Sequence, residues 1–349
     1  MSKLLQPPIR CAVIGYGAAH SFGRAHGRWI AATEGLEWVA VCDKDPKRLE
    51  AAKGEFPHLK TYASVDDLLS ECDIDMVSIV TPHYTHAPIA LECMRAGKHV
   101  LVDKAMCINT TEADSMIGAA KENDVMLAVF HNRRHDGNFR AIKEAVHSGK
   151  IGRVFHIELT AAGYGRPGEW WYSKKALSGG AFYYWGPHAI DWVLDLVGDR
   201  IRGVTGFYHK LVWDEFDIED QTRAIILFEN GTVADVTFSF IAVIGKPTWR
   251  ILGTKGAIID TGDGAITGYQ QELNGPSGGS FQMITIEEGR KEMAVPYMES
   301  NWHKYYIDIA DHLLHGGPIP VTGEEGRRTI FVLEAAERSA KSGITEKGE

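Results

Sequence analysis

Ile9-Arg10-Cys11-Ala12-Val13-Ile14-Gly15-Tyr16-Gly17 is the stretch on which the fold turns. Six residues, nearly all apolar, read as a strand covered on both faces. The glycine pair after them lets the backbone turn tightly and approach a pyrophosphate lying on the amides of a following helix, expected to open among Ala18 to His26. His20 stands where the usual third glycine would be and Gly23 comes three residues later, so the turn is expected to carry an insertion. The second apolar run, Leu36 to Cys42, ends at Asp43. That spacing suits a carboxylate accepting hydrogen bonds from adenosine ribose hydroxyls. Because it would repel a 2′-phosphate, NAD is preferred to NADP, although Lys44, Lys47 and Arg48 nearby soften the preference. Glycines that serve packing alone are the bland alternative.

Outward from this stretch, further β-branched runs at Met76 to Val80, His99 to Val102 and Val125 to Phe130 alternate with helical patterns. Such alternation predicts βαβ units and a doubly wound parallel sheet. Helix signals include Pro88 to Ala96 ended by Gly97, and a Thr111/Asp114 capping box opening Ala113 to Lys121. After about Val154 the runs lengthen and acquire turn chemistry: Arg223 to Phe228, Asn230-Gly231, then Thr232 to Phe240, with Asn-Gly suited to a type I′ turn. Helices are expected from Asn301 to His315 and from a Thr322/Glu325 capping box, and a surface loop at Asn274 to Ser280. The predicted fold class is α/β: a Rossmann domain over 1–131, then an α/β domain over 132–349 with a large, mainly antiparallel open sheet.

Composition narrows the function. The 349 residues hold 37 Lys+Arg against 46 Asp+Glu, a formal net charge of −9, and no basic stripe, which argues against nucleic acid. No run of about 18 apolar residues and no leader-like amino terminus is visible, so neither a membrane span nor a signal peptide is expected. Cysteines 11, 42, 72, 93 and 107 form no C-x-x-C pair, which predicts neither disulfides nor a zinc ribbon and points to a reducing cytoplasm. Cys11 and Cys42 read as small core hydrophobes.

An ordered set of motifs resembles the Gfo/Idh/MocA family of NAD(P)-dependent oxidoreductases over nearly the whole chain. Gly15-Tyr16-Gly17 resembles its cofactor loop, and Thr81-Pro82-His83 with His86 its T-P-N-x-x-H turn. Asp103-Lys104-Ala105 stands where the family usually has E-K-P, and Asn132-Arg133-Arg134 opens the second domain. Gly179-Gly180 to Asp191 resembles G-G-G-x-x-x-D-x-G-x-H-x-x-D, with Tyr184 in place of the first Asp. The resemblance implies hydride exchange between a nicotinamide and a carbinol of a sugar or cyclic polyol, no metal, and a homo-oligomer, dimer or tetramer, formed through the second-domain sheet.

Oxidising a secondary alcohol needs a base for the proton and a donor or cation to steady the alkoxide. Lys104 follows a strand at its carboxyl end, where open α/β sheets bind ligands, and matches the Lys that meets the reacting hydroxyl in the family. His188 resembles the family's base, with a satisfied structural histidine as the alternative. Asp191, three residues on, either orients that ring or supports the helix. Tyr184 is either a proton donor whose phenol is lowered by a cation beside Lys104, or a packing aromatic. Thr81, Pro82, His83 and His86 are expected at the cofactor, and Arg133, Trp170, Trp171, Tyr172 and Lys174 at the substrate or, for the tryptophans, filling an interface. Two other functions share these residues: a glycosidase working by transient NAD oxidation and elimination, which the Tyr184 departure admits, and a non-catalytic NAD- or sugar-sensing regulator.

Overall fold

The structure is a computed structural model that describes residues 4–17, 22–262 and 278–349; Ala18 to Ser21 and residues 263–277, with most of the Asn274 to Ser280 loop, lie outside the described residues. The chain divides into two compact units, residues 1–131 with 302–327 and residues 132–301 with 328–349.

In the first unit the strands are β1 (Ile9–Ile14), β2 (Leu36–Cys42), β3 (Lys60–Tyr62), β4 (Met76–Ile79), β5 (His99–Asp103) and β6 (Leu127–Phe130). They form one parallel sheet in the order β3-β2-β1-β4-β5-β6. β1 and β4 are neighbours that run outward in opposite directions of the strand order, which makes the gap beyond their carboxyl ends the switch point where doubly wound sheets take ligands. Both strands are almost wholly buried, as their unbroken apolar runs require. β3 has no counterpart in the expected strands, because a three-residue edge strand with an exposed Lys60 leaves no apolar run to read.

Helix ends differ from expectation where two capping signals competed. The helix Thr110–Glu122 is capped by Asn109, whose side chain accepts from Glu112 N at 2.8 Å while Glu112 Oε2 accepts from Ile108 N at 3.1 Å. Asn109/Glu112 therefore displaces the expected Thr111/Asp114 box. The Thr322/Glu325 box forms as read, with Glu325 N donating to Thr322 Oγ1 and Thr322 N to Glu325 Oε2.

Residues 302–327 were expected in the second domain but cluster with the first. The cause is the buried face of the helix Lys304–His315: Tyr306 Oη meets Ser78 Oγ at 2.9 Å and His26 Nδ1 at 2.6 Å, and Tyr305 Oη donates to Val129 O.

The second unit is built on β7 (Val154–Ala162), β8 (Ile201–His209), β9 (Gln221–Phe228), β10 (Val233–Ser239), β11 (Trp249–Gly253), β12 (Gly256–Asp260), β13 (Ser280–Thr285), β14 (Lys291–Pro296) and β15 (Glu346–Lys347). Their order is β14-β13-β12-β11-β7-β10-β9-β8-β15, antiparallel throughout except between β7 and β10. The β9–β10 hairpin forms around Asn230-Gly231, but only Gly231 has positive φ (85°), so the expected type I′ turn is not made. Gly231 N donates to Phe228 O and Phe228 N to Thr232 O, the bonding of a type I turn followed by a left-handed glycine. Along β9 buried and half-exposed residues alternate strictly, so one face of the sheet is enclosed while the other carries Arg223, Ile225 and Leu227. The helix Phe182–Val197 lies against β7 and β10 on the enclosed face.

Candidate active site

The loop after β1 fits a dinucleotide by its backbone. Gly15 and Gly17 have φ of 94° and 106°, and Gly15 N donates to Cys42 O. Gly23 is the third glycine of the turn in its physical role: a Cβ there would stand 1.8 Å from Gly15 O, so only glycine lets the helix Phe22–Ala31 approach the strand end. The residues of the expected insertion, Ala18 to Ser21, lie outside the described residues. Asp43 closes the loop from β2, its Oδ2 accepting from Tyr16 N at 2.9 Å and its Oδ1 from Asp45 N at 2.9 Å. Arg48 reaches across from the next helix to donate to Gly17 O.

The turn after β4 holds Thr81, Pro82, His83 and His86. His86 is fully buried; Nδ1 lies 2.8 Å from Ala105 O and Nε2 2.7 Å from Thr81 O. Burial lowers its pKa to about 4, so the neutral ring carries one N–H, donates to one carbonyl and abuts the other. Its expected place at the cofactor thus gives way to that of a brace between two loops. His83 is equally buried, edge-on to the His86 ring at 5.7 Å. The far loop is the one that presents Lys104, half-buried at the carboxyl end of β5 and followed by Ala105 through a cis peptide bond. Asp103, just before it, has an enclosed Oδ1 with no hydrogen-bond partner, and burial raises its pKa to about 7 against the pull of the Lys104 charge.

Tyr184, Trp185, His188 and Asp191 project from the helix Phe182–Val197. Asp191 is 2% exposed and accepts from Arg134 twice, from Nε at 2.9 Å and from Nη2 at 2.7 Å. A fork-to-fork pair of this kind anchors the helix to the segment entering the unit. The pair supports the reading of Asp191 as helix support. His188 is buried and packs edge-on to Trp185 at 5.7 Å, while the Arg133 guanidinium lies over the Trp185 ring, 4.5 Å from its centroid, and pairs with Asp136.

Tyr184 corrects an expectation. Its phenol is pushed above the ordinary value by burial, with Arg133 pulling weakly the other way. A lowered, readily ionised phenol is therefore absent. The ring instead sits among Tyr172 (5.1 Å), Trp170 (6.2 Å), Phe238 (5.8 Å) and Phe240 (6.3 Å), and Trp171 stacks on Tyr172 at 3.7 Å. Trp170, Trp171 and Tyr172 thus come together with Tyr184, whereas Lys174 is exposed beside them.

Residues that the sequence reading missed hold this wall in place. Glu219 Oε2 accepts from Ala181 N at 3.0 Å, at the start of the Tyr184 helix, and its other oxygen accepts from Lys175 Nζ. Asp217 accepts from Lys175 N at 2.8 Å, and Asp220 Oδ2 takes the amides of Leu211 and Val212. Gly180, with φ of 114°, holds a backbone conformation that residues with a side chain rarely adopt, and a Cβ there would lie 2.9 Å from Glu219 Oε2. The acid-rich run Asp217-Ile218-Glu219-Asp220 is a visible signal, but its partners some forty residues upstream are not. Among the described residues no cluster of three His, Cys, Asp or Glu side chains could hold a metal ion, and no helix is long and apolar enough to cross a membrane.

Comparison with known proteins gives two family matches: "Oxidoreductase family, NAD-binding Rossmann fold" over residues 9–131 and "GFO/IDH/MocA C-terminal domain" over residues 139–259. The chain is 26% identical to the scyllo-inositol 2-dehydrogenase (NADP(+)) IolW of Bacillus subtilis, covering 95% of this chain and 94% of that one. It is 31% identical to an uncharacterized oxidoreductase of Schizosaccharomyces pombe, over 76% and 73% of the two chains. The solved structure of the oxidoreductase yvaA from Bacillus subtilis superposes with a TM-score of 0.87 at 25% identity, covering 99% of this chain and all of that one.

Proposed function

The chain belongs to the Gfo/Idh/MocA family of oxidoreductases, and from that premise we propose that it moves a hydride between NAD and a secondary alcohol or ketone of a sugar, polyol or sugar derivative. The observation that carries this reading is the cofactor loop: two left-handed glycines, a third whose absent side chain lets the helix close on the strand, and a carboxylate bound to the loop amide. The full-length likeness to a protein named as an inositol dehydrogenase supports the polyol class.

NAD, when bound, supplies the hydride acceptor. Lys104, at the carboxyl end of a buried strand, donates to the reacting oxygen and steadies its negative charge as the carbon loses hydride. His188 takes the hydroxyl proton, and its ring is kept from turning by Trp185 on a helix that Arg134 ties down through Asp191. In the reverse direction the same proton returns to the carbonyl oxygen. Asp43 favours NAD, since its charge disfavours a 2′-phosphate, and Arg48 is turned toward the loop carbonyl. The elimination reading, admitted because Tyr184 stands where the family has Asp, finds no readily ionised phenol there to take a proton, since burial raises that group.

Lys104→Ala is the test. Turnover by the full chain should fall at least about a thousandfold, about 4 kcal/mol at the transition state, while NAD affinity stays within about threefold. Unchanged turnover would refute the assignment, and unchanged partner binding in a protein that never reduces NAD would favour a sensor.

A further inference from the structure

We propose that the alcohol taken by this site carries an aromatic ring, and that the ring lies against the wall formed by Trp170, Tyr172 and Tyr184. The inference rests on the alcohol-oxidoreductase reading and specifies its substrate class.

Among the described residues of the second unit, two groups of three or more rings in mutual contact differ in how far they are covered. Phe139, Trp192 and Trp249 stack at 5.4 to 6.1 Å and are 0 to 4% exposed; that is what ring packing for stability looks like. The Trp170 wall is layered differently. Phe238, 5% exposed, backs Tyr184, while Tyr184, Trp170, Trp171 and Tyr172 are all only partly covered. Tyr172 and Trp170 meet Tyr184 near edge-on, at interplanar angles of 73° and 76°, so the rings form a corner, with Trp171 stacked on one side of Tyr172 at 3.7 Å. Aromatic partners prefer such offset and edge-to-face contacts at centroid separations of about 4.5–7 Å.

The chemistry of the corner agrees. A site for a bare polyhydroxylated ring needs convergent hydrogen-bonding groups, commonly carboxylates. Here the first turn of the helix Phe182–Val197 has no acidic residue, and Arg133 is engaged by Asp136 and by the face of Trp185. The phenol of Tyr184 stays neutral. What the wall presents is mainly aromatic surface, on the same helix face as His188, which follows Tyr184 by four residues. The wall is also fixed before any ligand arrives: Ser173 Oγ donates to Gly168 O beneath the Trp171–Ser173 turn, and Asp217 holds the amide of Lys175. Pre-set rings lose little freedom on binding.

Calorimetric titration of the full chain with matched phenyl and methyl glycosides of glucose, galactose and mannose tests the proposal. The phenyl member of a pair should bind at least about tenfold more tightly, and Tyr172→Leu, which keeps bulk without the ring face, should shrink that gap to under about threefold, as should Trp170→Ala. Equal affinities within pairs, a gap that survives both substitutions, or no binding by any phenyl glycoside would overturn it. The two readings fail separately. Tight phenyl glycoside binding with no NADH formed would sink the oxidoreductase reading and leave the ring wall standing, and NADH formed equally from both members would do the reverse.

Discussion

Asp103 is the side chain whose charge is set to change near neutral pH. Burial raises its pKa to about 7, with Lys104 opposing. A carboxyl raised in the folded state holds its proton there at pH values where the unfolded chain has released it. Its stabilising contribution is therefore complete below about pH 4 and is lost as pH rises through about 7. Melting measured from about pH 5 to about pH 8 should show wild type losing more stability than Asp103→Asn, which has no charge to bury; parallel curves would contradict the burial of this group. Tyr184 gives the complementary expectation. Because its phenol stays protonated and its surroundings are rings, Tyr184→Phe should leave kcat/KM within about threefold between pH 6 and 9, and a fall of tenfold, about 1.4 kcal/mol, would restore it as a proton donor. At this scale the sequence was most informative where chemistry is local. Lys104 after a strand and Asp43 after another are readable from position, whereas the ionisation of Tyr184 and Asp103 depends on burial that distant residues create.

At the scale of elements, the helix Phe182–Val197 carries the candidate base, and two ion pairs position it. Glu219 accepts the Ala181 amide and the Lys175 ammonium, and Arg134 holds Asp191. Loss of a carboxylate at a helix start costs about 0.5–2 kcal/mol. Glu219→Ala should lower kcat by about tenfold with the NAD affinity unchanged, and Glu219→Gln, which retains the acceptor for the amide, should recover part of it; a loss of NAD binding instead would place Glu219 elsewhere in the mechanism. Helix support by Asp191 was one of two readings of the sequence, but the Glu219 contacts were not legible, because Glu219 and Lys175 are 44 residues apart. What was legible is what periodicity and caps encode: five of the six parallel strands, the Thr322/Glu325 box, and the hairpin at Asn230-Gly231. The type of that turn was not, since Asn230 keeps negative φ and a glycine alone takes the left-handed position. Nor was the Asn109 cap, which lies two residues before an equally plausible pair.

For the whole molecule, the nine-stranded sheet leaves one face only partly covered. Arg223 lies there in a two-bond pair with Asp235 and over the exposed ring of Phe207, and Arg250 pairs with Glu158. A mixed surface of ion pairs and half-exposed Ile225 and Leu227 suits self-association through an isologous contact. If the homo-oligomer that the family resemblance implies forms through this face, light scattering at working concentration should give a dimer or tetramer, and Arg223→Glu, which sets like charges beside Asp235, should shift it toward monomer; a monomeric wild type would contradict that expectation. The division into two units was legible in the change from alternating to hairpin patterns, but the return of 302–327 to the first unit was not, because the bonds from Tyr305 and Tyr306 to Val129, Ser78 and His26 span more than 170 residues. At the centre of the proposed function stands the loop of Gly15, Gly17 and Gly23, proposed to hold a nicotinamide cofactor that exchanges hydride with a carbohydrate alcohol. The most direct measurement is to denature the purified protein, identify released nucleotide by mass, and then follow the nicotinamide absorbance as sugars, polyols and their ketones are added with NAD. NAD among the released or binding nucleotides and NADH accumulating with at least one alcohol are the expected results; a protein that binds NAD but neither reduces it with any alcohol nor consumes NADH with any ketone would contradict the proposed function.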